Sequence, residues 1–343
     1  MVRLMGLFAW HLKPAAVRLY VTLAVLTILL AVMVLGALCV GTQTIHLRAV
    51  FADPTAHALF FRLRLPRVLM AAMIGASLAI VGAALQALFR NPLADPFILG
   101  VSGGGAVGAG IAIAFGIGTV VGGVPFIFLA AFCGALISVF VVYRIAKRGR
   151  AVFPGVLLLA GVVVNLIASA AVLILELFVD PARAQQILRW TAGSLDVVGF
   201  ATITQTAVFL LPAWGALLAL AGKLHLLAID EETAITLGVN VKRSEMYIHL
   251  ICSLLVGVSA AVGGAVGFVG LIIPHAVRLV FGEDLRIVLP GSLLLGASFL
   301  VAADTLARTV LTSAELPVGA VTALVGGPAF LWLLRRRQRY SVL

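Results

Sequence analysis

Ten apolar runs follow one another along this sequence, and they constrain the fold more than any other feature. They lie near residues 17–40, 68–89, 97–117, 119–143, 152–178, 198–221, 245–267, 268–281, 287–307 and 317–334. A helix needs about 20 apolar residues to cross a bilayer. Only 11% of the residues are charged and the mean hydropathy is +1.20, so too few charges exist to cover a water-exposed surface. The pattern predicts an all-α integral membrane protein of about ten transmembrane helices, with residues 1–343 as a single transmembrane domain.

The eighth run differs from the others because it is short and contains Pro274 and Arg278. A proline inside a helix removes a backbone hydrogen bond, and a charge inside a span is costly. The run therefore predicts a broken or partial span.

The basic residues indicate how the chain is oriented. They cluster after the fourth run, between the sixth and seventh runs, and at the C-terminus, as Arg144, Lys147, Arg148, Arg150, Lys223, Lys242, Arg243, Arg335, Arg336, Arg337 and Arg339. Because Lys and Arg hold loops on the cytoplasmic side, these connections and both termini are predicted to be cytoplasmic. The net charge of +11 thus reflects topology. The basic residues form no continuous face interleaved with aromatics, which argues against nucleic-acid binding.

A few arginines are exceptions to this rule. Arg48, Arg62, Arg64 and Arg67 lie between the first and second runs, Arg308 lies at the end of the ninth, and the span count places all of them outside. They either reach lipid headgroups or dock an acidic partner on the outer face. Asp304 stands four residues before Arg308, so the two share a helix face and can pair.

Catalytic chemistry has few candidates in this sequence. No G-x-x-x-x-G-K-[ST] segment is present, so the chain itself is not predicted to hold ATP. No histidine pair or acid cluster has the spacing of a metal site. Ser102 lies in a G-x-S-G segment, with His249 or His275 as a possible base, which leaves an intramembrane serine protease as one alternative. An ion-driven carrier is another, although the acidic residues of the spans lie near their outer ends rather than at the bilayer midplane.

The connection between the sixth and seventh runs carries a helix signature near residues 228–241. Asp230, Glu231 and Glu232 suit a helix N-terminus, and Leu237 and Gly238 suit its end. This predicts a short amphipathic helix on the cytoplasmic side. It is either an ordinary surface segment or an element that fits into a groove on a motor subunit.

Six segments occur together in a fixed order along the chain. They are Arg64–Arg67 (RLPR), Gln86–Pro96 (QALFRNPLADP), Leu99–Ser102 (LGVS), Leu159–Val162 (LAGV), Gly267–His275 (GFVGLIIPH) and Glu315–Gly319 (ELPVG). On a ten-span frame, this set resembles the BtuC/FecCD permease family of bacterial importers for cobalamin, haem and iron-siderophores. The resemblance runs from about residue 20 to the C-terminus and implies a BtuC-like permease bundle.

The resemblance also implies an assembly and a location. Two permease chains form a homodimer with the channel between them, two ATP-binding cassette subunits bind beneath, and a periplasmic substrate-binding protein docks on top. The complex lies in the bacterial inner (cytoplasmic) membrane. The chain is then a transport subunit and not an enzyme, it binds no cofactor, and ATP is used by the partner subunit.

The resemblance assigns roles to individual residues. It implies that Arg64, Arg67 and Arg308 dock the binding protein and that the coupling element lies at about Asp230–Val241. The fifth and tenth spans line the pathway, where Asn165 is either a pore residue or a polar residue satisfied within the bundle.

The resemblance also implies that the cytoplasmic gate lies at about Arg150–Pro154 and includes Val152 and Phe153. The cobalamin importers of the family have small hydroxyl residues where this chain has Phe153 and Pro154. We therefore expect an iron chelate, siderophore or haem, as the substrate, with cobalamin as the alternative.

Overall fold

The computed structural model describes residues 15–41, 50–51, 53–121, 124–148, 151–152, 154–195, 199–311 and 315–340. Within these ranges the chain is almost entirely helical. The α-helices in chain order are α1 (Ala15–Cys39), α2 (Pro54–Ala58), α3 (Leu65–Leu88), α4 (Val101–Ala114), α5 (Phe126–Ala146), α6 (Pro154–Leu177), α7 (Pro181–Thr191), α8 (Ala201–Ala219), α9 (Ala221–Ile229), α10 (Glu231–Thr236), α11 (Val241–Gly263), α12 (Val269–Phe281), α13 (Leu285–Thr309) and α14 (Val318–Tyr340).

Each of the ten apolar runs corresponds to one helix. In the part of the chain that the structure describes, seven helical segments are long and apolar enough to cross a membrane: Ala16–Cys39, Pro54–Leu88, Phe126–Ala146, Gly155–Leu177, Ala201–Ala219, Val241–Gly263 and Leu285–Thr309. Three shorter apolar helices, Val101–Ala114, Val269–Phe281 and Val318–Trp332, account for the other runs. The short eighth run is the 13-residue α12, with Pro274 inside it. The protein is therefore an all-α integral membrane protein, as predicted.

Several small elements were not predicted, because none of them contributes an apolar run of its own. A π-helix, Leu59–Arg64, joins α2 to α3, and a 3₁₀-helix, Pro96–Leu99, precedes α4. The surface helix α7 is polar along one side and starts at Asp180, whose carboxylate caps its first turn. Two antiparallel hairpins of two-residue strands complete the described elements: β1 (Val120–Val121) with β2 (Val124–Pro125), and β3 (Lys147–Arg148) with β4 (Ala151–Val152).

Helix α3 is the centre of the bundle. It packs against α8, α11, α12 and α13, and nearly all of its residues from Met70 to Ala87 are buried. Glycines allow two of these approaches to be unusually close. A Cβ atom at Gly75 would overlap the carbonyl oxygen of Gly296 on α13, and one at Gly82 would overlap that of Gly270 on α12. Small residues at helix contacts are typical of membrane bundles, because close packing replaces the hydrophobic drive that lipid removes.

Candidate functional site

A buried ion-pair cluster lies where the N-terminal end of α3 meets the C-terminal end of α13. We call Arg67, Asp304, Arg308 and Glu315 the Asp304 cluster. Arg67 Nε lies 3.0 Å from Asp304 Oδ1, and Arg67 Nη1 lies 2.7 Å from Glu315 Oε2. Arg308 Nε lies 3.0 Å from Asp304 Oδ2, although its N–H is aligned with the main-chain oxygen of Asp304 instead. Two arginines and two carboxylates thus balance in charge.

Burial differs sharply within the cluster. The Asp304 side chain is fully buried, and those of Arg67 and Arg308 are 14% and 7% exposed, whereas Glu315 is 50% exposed. The pairing of Asp304 with Arg308 across one helical turn was predicted and is confirmed. Arg67 joins them because α3 and α13 run antiparallel and in contact. Pairing with carboxylates neutralises the charges of Arg67 and Arg308 in this buried environment.

Arg64, at the same end of the bundle, binds main-chain carbonyl oxygens. Its side chain is buried, and Nη1 donates to the carbonyl oxygens of Leu38 at 3.2 Å and Cys39 at 3.5 Å. These carbonyls belong to the last turn of α1, where oxygens lack partners within the helix and favour a cation. Arg64 therefore fastens α1 to the start of α3.

The predicted amphipathic helix exists, but the segment around it is divided differently from the expectation. One helix, α9, continues to Ile229, and a second, α10, begins at Glu231. Asp230 separates them because its backbone is extended, with φ −161° and ψ 143°. We call Ala221–Val239 the α9–α10 corner.

Both ends of α10 are capped as the sequence indicated. Asp230 accepts hydrogen bonds from the backbone N–H of Thr233 at 2.9 Å and from its hydroxyl at 3.0 Å, and Glu231 and Glu232 occupy the first turn. Both bonds lower the pKa of the Asp230 carboxyl, and the bond from the backbone N–H has the larger effect. Gly238 ends the helix at φ +81°, donating to the carbonyl oxygen of Ile235. Capping interactions therefore define both ends of α10.

Three apolar side chains of the α9–α10 corner face outward, whereas others, such as Leu224 and Leu227, are buried. Ile229, Ile235 and Leu237 are all largely exposed, with Leu237 at 62%. An apolar surface beside the acidic first turn of a short helix has the composition of a contact surface.

The gate and pathway residues are only partly described. Arg150 and Phe153 lie outside the described residues. Val152 belongs to β4, where its backbone pairs with Lys147. Asn165 on α6 uses both ends of its amide inside the chain: Nδ2 donates to the carbonyl oxygen of Phe97 and Oδ1 accepts from the N–H of Gly103, each at 2.9 Å. These bonds favour the packing interpretation of Asn165 over a pore-lining one.

His249, one of the two histidines considered as a base for Ser102, has aromatic neighbours. The ring of His249 lies 5.6 Å from that of Phe89 and 6.4 Å from that of Tyr143, centroid to centroid. Ser102 lies in the first turn of α4. The contacts of His249 are those of a packing residue.

Three polar residues that meet around the C-terminal end of α3 were missed as site residues: Gln86 on α3, Arg90 just after it and Arg278 on α12. Gln86 Nε2 donates to the carbonyl oxygens of Gly270 at 3.1 Å and Leu271 at 3.2 Å, and Arg278 Nη1 donates to Gln86 Oε1. Arg90 donates to the carbonyl oxygen of Leu227 in α9 from Nε at 3.2 Å and from Nη2 at 2.8 Å. Gln86 and Arg90 belong to the segment Gln86–Pro96, one of the six that carry the family resemblance, and this segment was the available signal.

Known proteins resemble the chain over nearly its whole length. The profile of the FecCD transport family matches residues 26–336. The chain is 38% identical over 328 residues to the hemin transport system permease protein HmuU of Yersinia pestis, covering 93% of this chain and 97% of that protein. It is 44% identical over 285 residues to the cobalamin import system permease protein BtuC of Halobacterium salinarum, covering 83% and 75%.

A solved structure resembles the fold equally broadly. It is described as an inward-facing conformation of a metal-chelate type ABC transporter, and it superposes with a TM-score of 0.81 at 31% identity. The match covers 92% of this chain and 98% of that one. The fold and the order of its helices are thus shared with a transport protein along the whole bundle.

Proposed function

Because this chain belongs to the FecCD transport family, we propose that it carries an iron chelate, haem or a ferric siderophore, across the membrane. The chain is a permease subunit of an ABC importer, embedded in the inner membrane by many helices. Permeases of this family are not enzymes, and separate subunits hydrolyse ATP. Membership of the family replaces the alternatives of a serine protease and an ion-driven carrier.

The substrate proposal is carried by one observation. Identity to the hemin permease extends over 93% of this chain and 97% of that relative, so the two correspond almost from end to end. Cobalamin is the second candidate, favoured by the 44% identity to the cobalamin permease over a shorter stretch.

We propose that the Asp304 cluster lies on the outer side and the α9–α10 corner on the cytoplasmic side, with both termini cytoplasmic. Support comes from the basic residues predicted to be cytoplasmic, of which Lys223 lies within the corner and Lys242 and Arg243 follow it in sequence. The Asp304 cluster is at the opposite end of α3 from Arg90, which contacts the corner.

The docking surface of the substrate-binding protein is proposed to be the outer face around the Asp304 cluster, with Arg64, Arg67 and Arg308 beneath it. Burial divides their roles. Arg64 and Arg308 support the surface from below, while Arg67 borders solvent through its contact with the exposed Glu315. A carboxylate of the binding protein that displaced Glu315 would meet Arg67 in the same geometry. An acidic partner surface is therefore the chemistry that this face would recognise.

The assembly is proposed to be a homodimer of this permease with two ATP-binding cassette subunits and one binding protein. The coupling contact is assigned to the α9–α10 corner, with Asp230, Glu231, Glu232, Leu237 and Gly238. Its exposed apolar residues and capped helix suit a groove on the ATPase subunit. ATP is bound by that partner, and no cofactor is proposed for this chain.

Replacing Gly238 with proline is expected to abolish uptake while leaving membrane insertion intact. Proline fixes φ near −65°, whereas Gly238 has φ +81°, and proline also lacks the N–H that donates to Ile235. The substitution would therefore change the conformation at the end of α10, which lies outside the membrane-spanning helices. Uptake by the reconstituted complex measures the effect, with Gly238→Asn as the control because asparagine tolerates this backbone conformation. Normal uptake by the proline variant would remove the coupling assignment.

The proposed substrate is tested by ATP hydrolysis in liposomes that contain the permease, its cognate ATPase and its binding protein. Haemin, ferrichrome and cobalamin are added in turn. We expect haemin or ferrichrome to stimulate hydrolysis and cobalamin to leave it at the basal rate. Stimulation by cobalamin alone would establish the second candidate instead. No stimulation by any of the three, in a complex shown to be intact, would overturn the proposal.

A further inference from the structure

Arg90 lies two residues after the last residue of α3, in a backbone conformation that residues other than glycine rarely adopt. Its φ is +48°, in the left-handed region where glycine is at ease and other residues are strained. The backbone closes the helix there, since the N–H of Asn91 donates to the carbonyl oxygen of Gln86 at 3.0 Å. Glycine would make this turn without strain. The presence of arginine therefore points to a use for its side chain.

The side chain of Arg90 reaches across to the α9–α10 corner. Nε and Nη2 both donate to the carbonyl oxygen of Leu227, in the last turn of α9, where carbonyls have no partner within the helix. Leu227 itself is buried, so its main chain is held against the bundle. The guanidinium is also close enough to Asp230 to contribute, after the Thr233 hydrogen bonds, to the lowered pKa of that carboxyl. Arg90 thus fixes the point at which α9 ends and α10 begins.

The same end of α3 is tied to a second helix. Gln86, one turn before Arg90, donates to the carbonyl oxygens of Gly270 and Leu271 on α12. At the other end of α3, Arg67 bonds to Asp304 and Glu315. Between these ends lies a buried helix of 24 residues, which spans about 36 Å at 1.5 Å per residue. One buried helix therefore connects the corner to the Asp304 cluster.

We propose that Arg90 is a positioning residue for transport, which fastens the α9–α10 corner to α3 so that a displacement of the corner moves α3 and, with it, the Asp304 cluster. The inference rests on the proposed coupling function of the corner. An ATPase subunit that shifts the corner would then act on the docking face through one continuous element. Without the Arg90 side chain the corner would move without α3, and ATP would be hydrolysed without transport.

The experiment compares Arg90→Ala, Arg90→Lys and the control Arg243→Ala in the complete complex, reconstituted with haemin as the substrate. Arg243 is an exposed arginine near the same corner, whose side chain is outside the contacts described above. The readout is ATP hydrolysed per haemin transported. We expect this ratio to rise about tenfold or more in Arg90→Ala, to rise less in Arg90→Lys, which keeps a donor, and to stay at the wild-type value in Arg243→Ala.

A merely structural role would lower hydrolysis and transport together and leave the ratio unchanged, and that result would overturn the proposal. If Arg90→Ala does not assemble, Arg90→Lys carries the same test, because an unchanged ratio there contradicts the two-donor contact. The Gly238→Pro variant distinguishes a failure of the Arg90 proposal from a failure of the proposed coupling function. Uptake lost in Gly238→Pro with a normal ratio in Arg90→Ala refutes only the role of Arg90, whereas normal uptake in Gly238→Pro refutes the coupling function itself.

Discussion

Replacing Asp304 with alanine is expected to destabilise the folded protein by about 3–5 kcal/mol, because it removes one partner of a buried ion pair and leaves the other charges behind. Asp304 is fully buried and contacts Arg67 and Arg308, which are themselves largely buried. Without the carboxylate, two guanidinium groups would face each other with Glu315 as the remaining counter-charge of the cluster. The apparent melting temperature of the purified protein in detergent measures the effect.

Glu315→Ala is the matched control, since it removes the exposed carboxylate of the same cluster. Glu315 is half exposed and meets only Arg67 among the described ion pairs. Because Glu315 borders solvent and Arg67 keeps Asp304 as a partner, the loss should be close to that of an exposed pair, about 0.2–1 kcal/mol, and this variant should melt close to the wild type. Equal melting temperatures for Asp304→Ala and Glu315→Ala would show that the buried carboxylate does not organise this end of the bundle.

Replacing Gly82 with valine is expected to prevent α3 and α12 from packing, with a cost of about 3 kcal/mol or more. A Cβ at Gly82 would overlap the carbonyl carbon and oxygen of Gly270, which are main-chain atoms that cannot rotate away. The two helices would have to separate, and the bonds from Gln86 to Gly270 and Leu271 would break with them. The fraction of protein that elutes as a single folded species in size-exclusion chromatography measures the outcome.

Gly215→Val provides the comparison, because Gly215 also lies inside a spanning helix, α8, but a Cβ there would meet nothing within 4 Å. This variant should elute like the wild type. A folded, stable Gly82→Val protein would contradict the close approach of α3 to α12, and loss of both variants would point to a general intolerance of larger residues in the spans.

The helices could be predicted from the sequence because lipid imposes a direct pattern on it. A span must be apolar for about 20 residues, so each of the ten runs marked one of the longer apolar helices of the described residues, including the short α12 around Pro274. The surface helix α7 has no such constraint and left no apolar run. The break at Asp230 was visible as a helix start, but the apolar stretch Ala221–Ile229 before it was not recognised as a helix of its own.

The site was less predictable, since most of it depends on long-range contacts. Asp304 and Arg308 are four residues apart, so their pairing followed from helix geometry. Arg67 and Asp304 are 237 residues apart, and only the antiparallel packing of α3 on α13 brings them together. Gln86 and Arg90 bind main-chain oxygens, which any residue possesses, so their partners leave no mark in the sequence.

We propose that this permease moves an iron chelate with the energy of ATP that its partner subunit hydrolyses. The most direct test is uptake of ⁵⁵Fe-labelled haemin by liposomes that contain the permease, its ATPase subunit and its binding protein, with ATP supplied on the ATPase side. Haemin should accumulate with ATP at about ten times the level seen with a non-hydrolysable analogue, and dissipating ion gradients should not change it. Accumulation that is equal without hydrolysis, or that collapses with the ion gradient, would contradict the account.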